Sequence, residues 1–498
     1  FFFKQKTAYE IVDCDWSSDV CSSDLFGGKD VPALEADQFG LVLAKRVFGL
    51  EVQLGFETFV LALQGLFNLG QQVVAAIVEL DGLVEGVDHL ALGIREGPGQ
   101  RNDARGSDVH QRIIAQPPGR PGDNPAMDID LPLPLLGGLS PAQFMRRHWQ
   151  KRPCLIRQAV PGVQPPLPRA ELFALAERDD VESRLLVQGK DWTLRHGPFS
   201  RRQLPPLNKA GWTLLVQGLD LHVDAAHRLL SQFRFVPEAR LDDLMISYAS
   251  DGGGVGPHLD SYDVFLLQVS GRRRWRVGPV RDARLLPDKP VKILADFEPT
   301  EEWVLEPGDM LYLPPRWGHD GVAVGGDCMT CSIGFRTPTP TETAREVLQR
   351  MIDALEPDSD EPHYRDPKDT ATATPGRIPD ALQTFTQKAV IEALNDARSL
   401  ACALGETLTE PKAIVWFQGG EPLAAGAAVR LDARTKMMYD DHHVFINGES
   451  FRAAGKDARL MRRLADDRHL SAVQVAQLSE GAAELLSDWA CDGWLHGE

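Results

Sequence analysis

The stretch Gly252-Gly253-Gly254-Val255-Gly256-Pro257-His258-Leu259-Asp260, answered far downstream by Pro314-Pro315-Arg316-Trp317-Gly318-His319, constrains this chain most. His258 and Asp260 stand two residues apart. On a β-strand their side chains point to one side and can grip a single ion. His319 follows a Pro-Pro turn at the end of an apolar run and supplies a third ligand. Two imidazoles and one carboxylate are the facial set of a non-haem Fe(II) centre, with the remaining positions open for a co-substrate and O₂. Zinc competes for such residues, but it prefers four-coordinate closure or a catalytic water. A lone H-x-D arises readily by chance. Here a glycine-rich turn, a strand-rich setting and the distal histidine occur together. The bland alternative is three structural polar residues in a cupin-like barrel without metal.

An oxygenase of this kind must also hold the far carboxylate of 2-oxoglutarate, and arginine does so with a bidentate fork. The run Gly271-Arg272-Arg273-Arg274-Trp275-Arg276-Val277 offers candidates. Strand alternation puts Arg273 on one side, with Arg272 and Arg274 on the other. A solvated face is the ordinary fate of such a run, and one arginine is expected to turn inward.

The chain has 498 residues, room for about three domains. Its composition is that of an ordinary soluble protein, and no apolar run reaches the roughly 20 residues of a membrane span. Residues 1–25 resemble translated sequencing-adapter sequence. Residues 1–126 are expected to be spurious or out-of-frame, with Met127-Asp128-Ile129-Asp130 as a natural start. No signal peptide is recognisable at the N-terminus. The net charge of −18 argues against general nucleic-acid binding. Outside the first 25 residues the cysteines are sparse, as in a reducing cytoplasm. Cys328-Met329-Thr330-Cys331 has CxxC spacing, but on a strand the two thiols face opposite sides, against a redox or zinc role.

From Met127 three regions are expected. The first, 127–336, begins with helices and short strands, including a helix capped by Ser140-Pro141, helices over 168–178 and 225–233, and a strand at Cys154–Ile156. It then becomes strand-rich: 244–248, 264–269, 274–277, 303–305, 310–313 and 329–335, punctuated by Gly, Pro and Asp. That spacing suggests a barrel or jelly roll. The second, 337–415, is helical. Thr339-Pro340-Thr341-Glu342 is a capping box, and Ala344, Val347, Leu348, Met351, Ile352 and Leu355 form one helical face. A proline-rich loop over 356–379 and a second helix over 381–404 follow. The third, 416–498, combines helices with a hairpin turning at Asn447-Gly448, a winged-helix-like module. Its arginines are offset by acidic residues, so packing or partner docking is expected rather than DNA binding.

Together, Ile246-Ser247-Tyr248, Gly252–Asp260, Tyr262–Phe265, Gly271–Val277, Glu306–Pro315 and Ser332–Arg336 resemble the bacterial JmjC-type ribosomal oxygenases. Members hydroxylate an arginine of the sixteenth protein of the large ribosomal subunit. The resemblance covers roughly 127–498. It implies an α+β chain: a double-stranded β-helix barrel of the JmjC/cupin jelly-roll type, a helical dimerisation region and a winged-helix module. It implies Fe(II), 2-oxoglutarate and O₂ as cofactors, a ribosomal protein substrate, a homodimer and a cytoplasmic location. By position, His258, Asp260 and His319 match the metal ligands, Arg273 the co-substrate anchor, and Asp243 and Tyr262 the grip on the substrate arginine, with Ser332 nearby. The chain departs from the family pattern around His319, where Arg316-Trp317-Gly318 precedes it and Asp320 follows; this bears on the substrate rim. Histidine hydroxylation, demethylation or a non-catalytic cupin-fold binding protein are the competing readings.

Overall fold

The computed structural model describes residues 128–190, 192–287, 289–355, 361–452 and 454–498, which lie in one compact unit. The expectations for 1–126 and for a start at Met127 fall outside the described residues.

Local signals hold where they are strong. Ser140 caps α1 (Pro141–Arg147): its hydroxyl accepts from Gln143 N at 3.2 Å, and Gln143 Oε1 accepts from Ser140 N at 3.2 Å. β1 (Cys154–Ile156), α2 (Arg169–Leu175), β2 (Ser183–Val187), β3 (Thr193–His196), β4 (Trp212–Val216) and α3 (Asp224–Ser231) lead to β5 (Leu241–Ala249). No strand was expected at β2, β3 or β4. Every residue of β4 is buried, so it shows none of the alternation that marks a half-exposed strand.

β6 (Val264–Pro279), β7 (Glu301–Leu305), β8 (Met310–Leu313) and β9 (Trp317–Phe335) complete one antiparallel sheet. Its order is β1-β8-β6-β9-β5-β4-β2-β3, with β7 on β6, and it rolls into a double-stranded β-helix. The two separate strands expected over 264–277 are a single strand. It bends at two bulges, Gln268/Ser270 and Ser270/Arg272. Gly271 sits there at φ 63°, where a Cβ would lie 2.9 Å from Asp327 O. The bulges change which alternate residues face inward. Val264 and Leu266 before them share one cluster with Trp275 and Val277 after them, together with Leu305, Leu311 and Leu313. Phe265, Leu267 and Val269 instead join the main core with Phe144, Phe233 and Tyr312.

α4 (Pro340–Asp353) opens on the expected box, with Thr339 Oγ1 accepting from Glu342 N. Its apolar face is divided. Val347 and Met351 pack on Ala403, whereas Leu348, Ile352 and Leu355 are exposed. The single helix expected over 381–404 is two, α5 (Asp380–Leu394) and α6 (Ala397–Thr409). Asp396 restarts the chain by accepting from Arg398 N and Ser399 N. α6 packs on the C-terminal module rather than only on its helical neighbours: a Cβ on Gly405 would come within 2.4 Å of the Phe445 ring.

That module holds β10 (Val429–Leu431), β11 (Met437–Tyr439), β12 (His443–Ile446), β13 (Glu449–Arg452), α7 (Gly455–Asp467), β14 (His469–Leu470), α8 (Ala472–Val475), α9 (Glu480–Cys491) and β15 (Leu495–Gly497). The β12–β13 hairpin turns through Asn447 at φ 47° and Gly448 at φ 88°, the two positive values a type I′ turn needs. A separate core of Val429, Leu464, Leu486, Trp489 and Leu495 holds it together. Among the described residues no helix is long and apolar enough to cross a membrane.

Arg234, just beyond α3, donates to Ala465 O at 2.8 Å and Asp466 O at 2.5 Å. A cation thus closes the C-terminal end of α7. His227 on α3 lies in the same region. Burial first, then Arg468 and Arg234, hold its imidazole down at about 4, with Glu238 and Asp432 opposing. Folding therefore favours the neutral ring. Its contribution is complete above the unfolded value of about 6.5 and is lost as pH falls through about 4. The denaturation midpoint of the native chain should drop more between pH 7 and pH 4.5 than that of His227→Gln. Equal drops would show that this ring does not carry the effect.

Candidate metal centre

The glycine-rich segment runs along the first half of β9, on the side that β5 leaves uncovered. Gly252 N donates to Ala323 O, Ala323 N to Gly253 O, and His258 and His319 exchange both backbone bonds, at 3.0 and 2.8 Å. Close backbone approach explains two of the glycines: a Cβ on Gly254 would lie 2.4 Å from Gly321 O and one on Gly253 2.4 Å from Trp212 O, whereas Gly252 and Gly256 take left-handed φ values of 71° and 82°. The pairing sets the two histidines side by side, with ring centroids 4.2 Å apart.

Each imidazole is oriented from behind. His258 Nδ1 lies 2.9 Å from Gly256 O and His319 Nδ1 3.1 Å from Trp317 O. A proton on each Nδ1 leaves both Nε2 lone pairs free. Asp260 faces them, with Oδ1 3.9 Å from His258 Nε2 and Oδ2 3.5 Å from His319 Nε2. Burial, then the neighbouring His258, holds His319 down at about 4. It is thus in the neutral form that ligates. The three donor atoms lie within 4.8 Å of one another, and the two-nitrogen, one-oxygen set suits a divalent transition metal with open positions. Asp320 is not a further donor. It points to the opposite face and accepts from Arg276 Nε at 3.2 Å.

Arg273 is buried at 2 % exposure. Its Nε donates to Cys328 Sγ at 3.5 Å, its guanidinium carbon lies 5.7 Å from the Trp275 ring centroid, and its Nη2 has no partner among the described residues. A buried guanidinium without an anion is unfavourable by itself, so this pocket fits an anionic ligand. Trp275 also lies 5.8 Å from His319 and covers Gly321, where a Cβ would come within 2.5 Å of its ring.

The remaining expected residues are Tyr262, Ser332 and Asp243, and Tyr262 is electrostatically coupled to Asp260. Tyr262 is half-buried against the cluster of Trp275, Val277 and Leu305. Asp260 first, then burial, raises its hydroxyl well above the usual tyrosine range. Ser332 is half-buried on β9, opposite Met245 and Leu266. Asp243 is buried and accepts from Gln217 Nε2 at 2.9 Å and from Lys412 Nζ at 3.0 Å. Lys412, beyond α6, also reaches Asp242 at 3.1 Å. Asp220, beside this cluster, is pushed well up by burial and by Asp243. Three residues were not anticipated: Trp275, Cys328 and Lys412. Trp275 was within reach, since it is two residues from Arg273 on the same strand face. Lys412 had no local signal, being 169 residues from Asp243. The two CxxC thiols part as expected, Cys328 toward Arg273 and Cys331 into the main core.

Residues 228–343 match the JmjC domain family, and residues 392–496 match the ROXA-like winged helix. The ribosomal protein uL16 3-hydroxylase of Escherichia coli is 36 % identical over 275 residues, covering 54 % of this chain and 71 % of that protein. This chain belongs to the JmjC ribosomal oxygenases. The expected family, its double-stranded β-helix, its winged-helix module and its enzymatic class are borne out. A structure of YcfD, a ribosomal oxygenase from Escherichia coli, in complex with cobalt and 2-oxoglutarate superposes with a TM-score of 0.59 at 29 % identity, covering 72 % of this chain and 98 % of that one. Chicken ribosomal oxygenase 1 is 30 % identical over 217 residues, 39 % of this chain and 34 % of that protein.

Proposed function

We propose that this ribosomal oxygenase is an Fe(II)- and 2-oxoglutarate-dependent hydroxylase of an arginine side chain in the large-subunit protein uL16. One observation carries the reading: three metal-type donors stand in the same barrel as a buried guanidinium with a free nitrogen. His258, Asp260 and His319 hold the metal, and Arg273 takes the far carboxylate of 2-oxoglutarate. When bound, metal and co-substrate supply O₂ activation coupled to decarboxylation of 2-oxoglutarate to succinate, with one oxygen atom passing to an unactivated C–H bond. The chain's residues place and shield. The Gly256 and Trp317 carbonyls fix the imidazole rings, and Trp275 and Val277 keep the pocket dry. Tyr262 offers an aromatic face and Asp243 a carboxylate for a cationic side chain, with Ser332 nearby.

The test is incubation of the full chain with Fe(II), 2-oxoglutarate, O₂ and an arginine-containing fragment of uL16, followed by mass spectrometry. A gain of one oxygen that disappears in His258→Ala supports the reading. Succinate release without fragment oxidation keeps the oxygenase and overturns the substrate.

Lys412 gives Asp243 a specific test. For Asp243 to receive a guanidinium, the Lys412 ammonium must move off it. Lys412→Met is therefore expected to lower the KM for the fragment while leaving the KM for 2-oxoglutarate unchanged. A raised fragment KM would make Asp243 an anchor for the 410–428 segment instead.

The reading includes a homodimer, in the cytoplasm where ribosomes are assembled. α5 has no buried residue and exposes Phe385, Val390, Ile391 and Leu394. Ile352 and Leu355 add to the uncovered apolar surface at the end of α4. Ile391→Glu should turn a dimer into a monomer in sedimentation velocity; an unchanged dimer would place the interface elsewhere.

A further inference from the structure

Arg273 is fixed by a neighbour of unusual chemistry. A guanidinium presents two bidentate edges: Nε with one terminal nitrogen, and the two terminal nitrogens together. Here Nε is taken by Cys328 Sγ at 3.5 Å. The same sulfur accepts from Gln268 Nε2 at 3.4 Å. Gln268 is itself held on both sides: its Nε2 donates to Ser270 O at 2.7 Å, and its Oε1 accepts from Thr330 Oγ1 at 2.9 Å. Cys328 and Gln268 are both fully buried. Gly271 seats the bulge directly on this residue, where a Cβ would lie 2.9 Å from Cys328 Cα. Trp275 lies over the cation. Among the described residues, Nη2 is left as a buried donor without a partner.

We infer that Cys328 is the positioning residue of the co-substrate pocket: its sulfur engages Arg273 Nε and so commits the two terminal nitrogens to the far carboxylate of the 2-oxo dicarboxylate. This rests on the reading of Arg273 as the anchor. Sulfur suits the task because it is large, polarizable and a weak acceptor. It orients the cation without neutralising it, so the charge stays available to the ligand. An aspartate here would compete for the same guanidinium.

The experiment is calorimetric titration of the full chain, loaded with Mn(II) without O₂, by 2-oxoglutarate. Cys328→Val keeps the bulk and removes the acceptor. It should weaken 2-oxoglutarate binding by about tenfold, the scale for losing a residue that orients a ligand-binding group. Cys328→Ser restores an acceptor and should recover most of that affinity. Cys331→Ala, an equally buried thiol on the other face, should lower the melting temperature and leave the affinity unchanged. Mn(II) affinity should not move in any of the three. If Cys328→Val binds 2-oxoglutarate like the native chain while Arg273→Lys does not, the positioning role is overturned and the anchor stands. If Arg273→Lys also binds normally, both fall. If Cys331→Ala weakens binding as much as Cys328→Val, the effect is general loosening of the core and the inference is overturned.

Discussion

Asp260→Ala is expected to abolish hydroxylation of the uL16 fragment and to release the metal. Asp260 supplies the sole anionic donor of the triad, with its two oxygens 3.9 and 3.5 Å from the His258 and His319 Nε2 atoms. Without it, two neutral imidazoles must hold a dication in a half-buried site. Changing residues that merely orient metal ligands typically lowers metal affinity or activity 10- to 100-fold, so loss of a ligand should exceed about a hundredfold. The chain should remain folded, because Asp260 lies outside the hydrophobic core and its backbone carbonyl still accepts from Arg316 N. Metal content by mass spectrometry and turnover should fall together. A variant that keeps its metal and most of its turnover would move the centre away from these residues.

Arg273→Met is expected to act in opposite directions on binding and on stability. A bidentate guanidinium–carboxylate pair contains two charge-assisted hydrogen bonds of about 1.5–3 kcal/mol each. Their loss should weaken 2-oxoglutarate binding by about a hundredfold or more. Without ligand, however, the buried cation meets a thiol and an aromatic face, and Nη2 has no partner among the described residues. Replacing an unpaired buried charge by an apolar side chain of similar length removes that penalty. The ligand-free variant should therefore melt above the native chain, and 2-oxoglutarate should no longer raise its melting temperature. A lower melting temperature would mean that the cation has an internal anionic partner, and the case for a vacant carboxylate pocket would fail.

The metal triad was legible because its signal is short. His258 and Asp260 stand two residues apart and can reach one ion, although they lie not on a strand but in a loop that meets β9 through an isolated bridge at His258. Gly254 reports the close backbone approach to β9 that this pairing requires. The caps at Ser140 and Thr339 and the turn at Asn447-Gly448 were legible for the same reason: each is closed by atoms a few residues apart. The break between α5 and α6 was missed although Asp396 is a local cap, because apolar periodicity continues across it. β2 and β4 were missed because burial blurs alternation, completely in β4, and β3 because it is four residues long and mostly exposed, with no alternation to read.

The spacing of residues was therefore enough for the H-x-D…H donor set, the strand-rich barrel and one inward arginine somewhere in the 272–276 run. What meets these groups depends on the packed chain. Two bulges change the inward-facing residues of β6 partway along its length, which no uniform alternation can foresee. Cys328 reaches Arg273 across 55 residues, and Lys412 reaches Asp243 across 169. Such pairings depend on how the sheet closes and where the C-terminal module docks. Local spacing carries no record of either, because the partners become neighbours only after the whole chain has packed.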